Sequence, residues 1–134
     1  MNSAVYDTNV LVAGFLSPHG PPGRIIEWLR IGYVQAVVDD RILLEYAQVL
    51  SCPKFALPVA EVELVLNAIR SKARGVVALR QARGLPDPDD APFLECAWAA
   101  TVPLVTSNGR HFPRSLAGAV RILTPAEFMA ATAK

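Results

Sequence analysis

The sequence has few of the features that mark several large classes of protein. Its cysteines, Cys52 and Cys96, form neither a disulfide framework nor a metal-binding spacing. The net charge is only +1, which argues against a protein that coats nucleic acid through charge alone. The apolar run over residues 91–105 is interrupted by Glu95 and two prolines, so no membrane span is predicted. Because the N-terminal region is not basic and Asp7 breaks its first apolar stretch, we expect no signal peptide and a cytoplasmic protein.

Length and composition are typical of one globular domain. The chain has 134 residues, of which 52% are hydrophobic, so we expect a single domain over residues 1–134. Strands are predicted at residues 4–6, 35–38, 104–106 and 121–123, with a weaker candidate at 76–79, and helices at 9–16, 23–31, 40–51, 58–72 and 91–101. This alternation predicts a three-layer α/β/α fold, in which helices cover both faces of a mostly parallel central sheet of four to five strands.

Two loops and a last helix complete this prediction. The segment 86–90, rich in proline and aspartate, and the segment 107–115 are expected to be loops. Thr124 and Glu127 have the spacing of a capping box, with Pro125 at the first helical position. A terminal helix is therefore predicted to begin there.

The aspartates of the chain fall at predicted junctions between strands and helices. They are Asp7, Asp39, Asp40, Asp87, Asp89 and Asp90. In open α/β sheets, ligands bind outside the carboxyl ends of the strands, so acids at these junctions can converge on one edge of the sheet. Each position also has an ordinary structural explanation, since an aspartate after a strand is often a turn former or a helix cap. The same holds for Asn108, which precedes a glycine after the predicted strand 104–106.

Glu45 occupies a distinctive position on the predicted helix 40–51. At about 100° per residue, it lies roughly 40° from Val49, at the border of the apolar face that also contains Ile42 and Tyr46. A glutamate at such a border can lean over the edge of the sheet, or it can be an ordinary boundary residue of an amphipathic helix. The helix alone leaves both interpretations open.

Four segments of the sequence together resemble the motifs of PIN-domain ribonucleases. Their order matches that of the family, and they are VYDTNVL at residues 5–11, ILLEYAQVL at 42–50, DPDDAPFLECA at 87–97 and LVTSNGRHF at 104–112. The resemblance covers nearly the whole chain and is greatest to the toxin components of bacterial toxin–antitoxin pairs. It implies a PIN-like fold, cleavage of RNA, a small antitoxin protein as partner and, as for many such domains, a homodimer.

The resemblance also implies roles for individual acids. Asp7, Glu45 and Asp90 match the family's acidic metal-binding positions, and Asp87 is an additional candidate acid. Asn108 matches a fourth catalytic position at which many relatives have aspartate and others asparagine. An amide oxygen can bind a metal ion or hold a water, but it brings no charge.

Other residues are expected to support these acids or to bind RNA. Thr8 and Thr106 match hydroxyl positions beside the site, and Asn9 is expected to tie the first helix to a neighbouring loop. His111 is a candidate general acid, with an ordinary loop histidine or a contact to phosphate as the alternatives. Four arginines are candidates for holding the RNA backbone, namely Arg110, Arg114, Arg24 and Arg41.

Clustered carboxylates favour a metal-dependent mechanism. At an effective dielectric constant of about 20, two carboxylates 4 Å apart repel by roughly 4 kcal/mol, so a fold that gathers three must raise a pKa or bind a cation. Oxygen ligands suit Mg²⁺ or Mn²⁺, and a bound ion activates water for phosphodiester hydrolysis. The sequence therefore predicts a Mg²⁺- or Mn²⁺-dependent endoribonuclease.

Two other functions remain compatible with parts of the pattern. Because Asn108 is uncharged, the chain is alternatively a PIN-fold binding or assembly module that has lost catalysis. An aspartyl-phosphate enzyme would also place an acid such as Asp7 after its first strand. The second acid that such phosphatases need two residues later is replaced here by Asn9, which argues against this function.

Overall fold

The computed structural model of the chain describes residues 2–132. Five strands form one parallel sheet in the order β3-β2-β1-β4-β5. Their bounds are Asn2–Tyr6 for β1, Val34–Val38 for β2, Arg74–Gly75 for β3, Leu104–Val105 for β4 and Ile122–Leu123 for β5. Strand β2 and the second half of β1, from Ala4 to Tyr6, are buried except for the partly exposed Gln35, as expected for a parallel sheet that is covered on both faces.

Seven α-helices flank the sheet within the described residues. They are α1 at Thr8–Leu16, α2 at Pro21–Ile31, α3 at Asp40–Leu50, α4 at Val59–Lys72, α5 at Ala91–Ala100, α6 at Arg114–Ala117 and α7 at Pro125–Thr132. Helix α2 packs with α4 and α7, whereas α5 packs with α3 and against β1 and β2. The predicted three-layer α/β/α fold with a parallel sheet is confirmed.

A close approach between α1 and α2 shapes the first crossover. Gly23 allows it, because an added Cβ would lie 2.1 Å from the carbonyl oxygen of Pro18. On the facing helix, a Cβ at Gly14 would lie 2.5 Å from Cδ1 of Ile26. Since real Cβ atoms do not approach other atoms so closely, both glycines are needed for this packing.

The predicted strand at 76–79 is wrong, because the strand lies two residues earlier. The amide of Val76 still donates to the carbonyl of Val38 at 3.0 Å, but the chain then leaves the sheet edge. Val77 and Leu79 are 78% and 90% exposed. Their strand-like side chains have no neighbouring strand to pack against here, so tertiary context overrides local propensity.

Helix boundaries differ from prediction at two places and agree at a third. Helix α2 begins at Pro21, since residues in the first turn need no amide donor. The predicted loop 107–115 contains a 3₁₀ turn, Gly109–His111, and the start of α6. The terminal capping box is confirmed, because the Thr124 side chain accepts a hydrogen bond from the Glu127 amide at 3.1 Å, and the Glu127 side chain accepts one from the Thr124 amide at 2.8 Å.

None of the helices in residues 2–132 has the length and apolar character needed to cross a membrane.

Candidate active site

The strand order places a topological switch point between β1 and β4. From β1 the chain moves outward through β2 to β3, and it then returns to the other side of β1 to form β4 and β5. Loops that leave neighbouring strands in opposite directions open a crevice at the carboxyl ends of those strands, where ligands of α/β proteins bind. Asp7 follows β1 and Thr106 follows β4, so these two residues flank the crevice.

Asp7 is held rigidly at this crevice. It is 6% exposed, and its Oδ2 accepts a 2.9 Å hydrogen bond from the Thr106 hydroxyl. Its Oδ1 accepts from the Asn9 amide at 3.3 Å, so Asp7 also caps α1. Burial raises the pKa of Asp7, and these two hydrogen bonds oppose that increase.

The loop after β4 is fixed to the start of α1. The Thr106 hydroxyl oxygen accepts from the Asn108 amide at 3.0 Å. Asn9 lies between the two segments, with its Oδ1 accepting from the Ser107 amide at 3.3 Å and its Nδ2 donating to Thr106 at 3.5 Å. This network brings Asn108 to the same edge of the sheet as Asp7.

Helix α3 brings Glu45 to the same edge. The buried hydroxyl of Tyr46 donates to the carbonyl of Tyr6, the last residue of β1, and so fixes the helix beside Asp7. The half-buried Glu45 carboxylate accepts a hydrogen bond from the Thr8 hydroxyl. Burial raises the pKa of Glu45, the Thr8 hydrogen bond lowers it, and the negative charge of Asp7 raises it further.

The acidic segment before α5 folds into a tight turn. A 3₁₀ turn spans Pro88–Asp90, and the Asp87 carboxylate caps it by accepting from the Asp89 amide at 3.0 Å. Asp90 is partly buried, and its Oδ2 lies 2.9 Å from Nδ1 of His111. Asp87, Asp90 and His111 each offer one ligand atom within 4.8 Å of the others.

Electrostatic interactions connect the three predicted metal-binding acids. Besides burial, which is the largest cause in each case, Asp90 raises the pKa of Asp7, Asp7 raises that of Glu45, and Glu45 raises that of Asp90. Asp87 raises the pKa of both Glu45 and Asp90, while His111 opposes the increase at Asp90. Partly buried carboxylates that repel one another in a crevice are characteristic of functional sites.

The sequence of this site region matches a known family. A family model described as PIN domain matches residues 3–110, which include β1, α3, the acidic turn, α5 and β4. The chain belongs to the PIN domain family. PIN domains are generally nucleases, and those nucleases typically use divalent metals. No curated protein and no solved structure is significantly similar to the chain.

The acids of this PIN domain fit a divalent cation. Within residues 2–132, His111 is the basic side chain whose charge acts on Asp7 and Asp90, so the three acids bring more negative charge to the crevice than it offsets. Carboxylate oxygens are the donor type that Mg²⁺ and Mn²⁺ prefer. The imidazole of His111 adds a nitrogen donor, which the sequence interpretation had not placed in the metal-binding set.

The four arginines predicted to bind RNA differ in their surroundings. Arg110 and Arg114 are exposed and lie in the segment that follows Asn108. Arg24 is exposed on α2. Arg41 is already bound, because its Nη1 lies 2.7 Å from Glu95 and its Nη2 lies 2.7 Å from Asp39.

Glu95 is the main residue near the site that sequence reasoning missed. It was noted only as an interruption of an apolar run, yet it is 7% exposed and hydrogen-bonded through both oxygens. A charged residue in an otherwise buried helix was the available signal, because such a residue is rarely buried unless it is paired. Its partner, Arg41, precedes it by many residues and is not identified by spacing.

Proposed function

We propose that this PIN domain is a Mg²⁺- or Mn²⁺-dependent endoribonuclease. The observation that carries the proposal is the convergence of Asp7, Glu45 and Asp90 on the switch point of the sheet, where the hydroxyls of Thr106 and Thr8 hold the first two and each carboxylate raises the pKa of another. Such an arrangement is costly in the absence of a cation, so its presence favours metal-assisted chemistry on an anionic substrate. A phosphodiester is the anionic substrate class on which nucleases act.

In this proposal each acid has a defined role. Asp7, Glu45 and Asp90 bind the metal, and a divalent ion held there supplies Lewis acidity that activates water and neutralises charge on the phosphate. Thr106 and Thr8 hold the carboxylates of Asp7 and Glu45 in place through their hydroxyls. Precise support of ligands by neighbouring hydrogen bonds is typical of metal sites.

The neutral residues of the loop after β4 complete the site. The backbone of Asn108 is fixed by its amide hydrogen bond to Thr106, which directs this segment along the crevice. We propose that the Asn108 side chain holds a water or contributes a neutral oxygen ligand. His111 and Asp87 lie beside Asp90 and complete the polar lining.

The exposed arginines next to the acids are proposed to hold the RNA backbone. Arg110 lies in the 3₁₀ turn that follows Asn108, and Arg114 begins helix α6 after it, so both belong to the segment that leaves β4. Phosphate contacts from arginine position a nucleic acid without reading its sequence. An acidic centre with a basic rim also explains how a nuclease can have a net charge of only +1.

We further propose that the protein is the toxin of a toxin–antitoxin pair, as the sequence resemblance implies. In that case a small antitoxin would cover an apolar surface and inhibit the site, and a homodimer is expected. Trp28, a candidate for such a surface, is partly buried and packs against Tyr33 in a tilted arrangement, with ring centroids 5.1 Å apart. Purification of the protein together with the product of its neighbouring gene, followed by cleavage assays with and without that product, tests this part.

The nuclease proposal is tested by incubating the protein with a mixed pool of tRNA, mRNA and rRNA fragments. Parallel reactions contain Mg²⁺, Mn²⁺ or EDTA, and a second set uses single-stranded DNA as the substrate. Cleavage should require the metal, favour RNA and disappear in Asp7→Asn. Asp40→Asn is the matched control, because Asp40 is an exposed aspartate in the first turn of α3, and its activity should persist.

Other outcomes would separate the alternatives. Cleavage in EDTA, or full activity of Asp7→Asn, would contradict a mechanism that depends on these acids. A protein that neither binds Mn²⁺ in calorimetry nor cleaves any substrate would instead be a binding or assembly module. The uncharged Asn108 is the feature that favours this second function.

A further inference from the structure

An ion pair between the buried Glu95 and the half-exposed Arg41 connects three segments of the chain near the candidate active site. Glu95 in α5 is 7% exposed, and its Oε1 accepts from Nη1 of Arg41 in α3 at 2.7 Å. Its Oε2 accepts from the backbone amide of Ala82 at 2.8 Å. The guanidinium also donates from Nε to Oδ2 of Asp39 at 2.8 Å. Both oxygens of Glu95 are therefore engaged, one by a helix and the other by a loop.

Each of the three segments continues into a metal-binding acid. Arg41 and Glu45 are four residues apart on α3, so they share one face of that helix. The loop that contains Ala82 runs directly into the turn of Asp87 and Asp90. Helix α5, which contains Glu95, begins immediately after Asp90. A change at Glu95 would therefore affect the positions of Glu45, Asp87 and Asp90, but not that of Asp7.

We propose that Glu95 is a positioning residue that, through Arg41 and the Ala82 amide, holds Glu45 and the Asp87–Asp90 turn at the spacing that metal binding requires. The proposal rests on the function proposed above, because it deepens the account of the same site. It also assigns Arg41 to Glu95, through Nη1, and to Asp39, through Nε and Nη2, and not to the RNA backbone. In this proposal neither Glu95 nor Arg41 contacts the metal or the substrate.

The alternative is that Glu95 contributes only to stability. The ion pair is weak support for stability by itself, because the Arg41 guanidinium is half-exposed and solvent screens its attraction to Glu95. Loss of Arg41 would nevertheless be destabilising, since the buried Glu95 carboxylate would lose its charged partner. A test must therefore separate the geometry of the site from the overall free energy of unfolding.

Glu95→Gln provides that separation, because it keeps the size of the side chain and removes its charge. A glutamine offers one acceptor oxygen to the two donors, Arg41 and the Ala82 amide, so one of these contacts must be lost. The matched control is Ile69→Val in α4. This buried core substitution should cost about 1 kcal/mol without touching the ion pair or the acids.

The first readout is amide hydrogen exchange without metal. In Glu95→Gln we expect faster exchange in residues 80–92 and in the first turn of α3, whereas Ile69→Val should not change these segments selectively. The second readout is calorimetric titration with Mn²⁺ alone. Its affinity should fall at least about tenfold in Glu95→Gln, the usual size of the effect for residues that support metal ligands, and stay unchanged in Ile69→Val.

The outcomes distinguish this proposal from the one on which it rests. Unchanged exchange near the turn in Glu95→Gln, or Mn²⁺ affinity equal to that of the wild type, would overturn the positioning role. If the wild type itself bound no Mn²⁺, the proposed function would fail, and a metal-related role for Glu95 would fail with it.

Discussion

Glu45→Gln should make the protein more stable in EDTA and less stable in Mn²⁺. In the absence of metal, the Glu45 carboxylate is repelled by Asp7, Asp87 and Asp89 and is partly removed from water. Glutamine has the same shape, lacks the charge and keeps an oxygen that accepts from the Thr8 hydroxyl. The substitution therefore removes an unfavourable charge while it preserves the local packing.

The size of the effect follows from the surroundings of Glu45. Two carboxylates 4 Å apart at an effective dielectric constant of about 20 would repel by roughly 4 kcal/mol, which is an upper limit. Because Glu45 is only half-buried, solvent screening reduces this value. Weakening of the hydrogen bond from Thr8 reduces it further. We expect a net gain of about 1 kcal/mol in EDTA, or a rise in Tm of about 4 °C for a chain of this length.

Metal binding should reverse this difference in stability, so that the wild type becomes more stable than Glu45→Gln. At a Mn²⁺ concentration 100 times the dissociation constant, the wild type gains about 2.7 kcal/mol, whereas the variant, with one carboxylate ligand fewer, gains much less. Thermal unfolding in EDTA and in a Mn²⁺ series measures both effects. Glu63→Gln, an exposed glutamate in α4, should match the wild type throughout. A Tm of Glu45→Gln below that of the wild type in EDTA would refute the argument that this carboxylate is held against repulsion.

Three further substitutions test the packing and the RNA surface. Gly23→Ala should lose about 1–3 kcal/mol in urea unfolding because its Cβ overlaps backbone of the preceding turn, whereas Gly75→Ala, with open space around its Cβ, should be nearly neutral. Tyr46→Phe should lose about 1–2 kcal/mol in the same assay, since it leaves the buried carbonyl at the end of β1 without its side-chain donor. Arg110→Ala should weaken RNA binding and lower the slope of log affinity against log salt concentration by about one, and Arg70→Ala on α4 should do neither. Equal stability of Gly23→Ala and Gly75→Ala would contradict the packing argument. A Tyr46→Phe protein as stable as the wild type would contradict the role of its hydroxyl, and an unchanged salt slope for Arg110→Ala would contradict its contact with RNA.

The fold was largely predictable because its signals are local. Buried β-branched runs, helix caps and the capping box at Thr124 and Glu127 each depend on residues a few positions apart. The strand at Arg74–Gly75 was not predictable in this way. Its pairing with β2 depends on where the chain crosses the sheet edge, and the more strand-like residues that follow it have no partner.

The candidate site shows the same division between local and long-range signals. The place of Asp7 at the carboxyl edge of the sheet could be predicted, because it directly follows a short apolar strand. The contact between His111 and Asp90 could not be read from the sequence, because it depends on how the loop after β4 folds back toward α5. The ion pair of Arg41 and Glu95 likewise joins residues whose proximity only the packing of α3 and α5 creates.

The distribution of charge around the acids gives a reason why an uncharged residue at position 108 is compatible with metal binding. Asn108 removes a charge from the end of β4, but the turn before α5 brings two extra acids, and Asp87 and Asp89 both raise the pKa of Glu45. His111, from the loop that follows Asn108, faces Asp90 and lowers its pKa in opposition to these acids. The turn before α5 therefore supplies carboxylate charge close to Glu45 and Asp90 that an asparagine at position 108 does not, so a cation site formed by the other acids is compatible with Asn108.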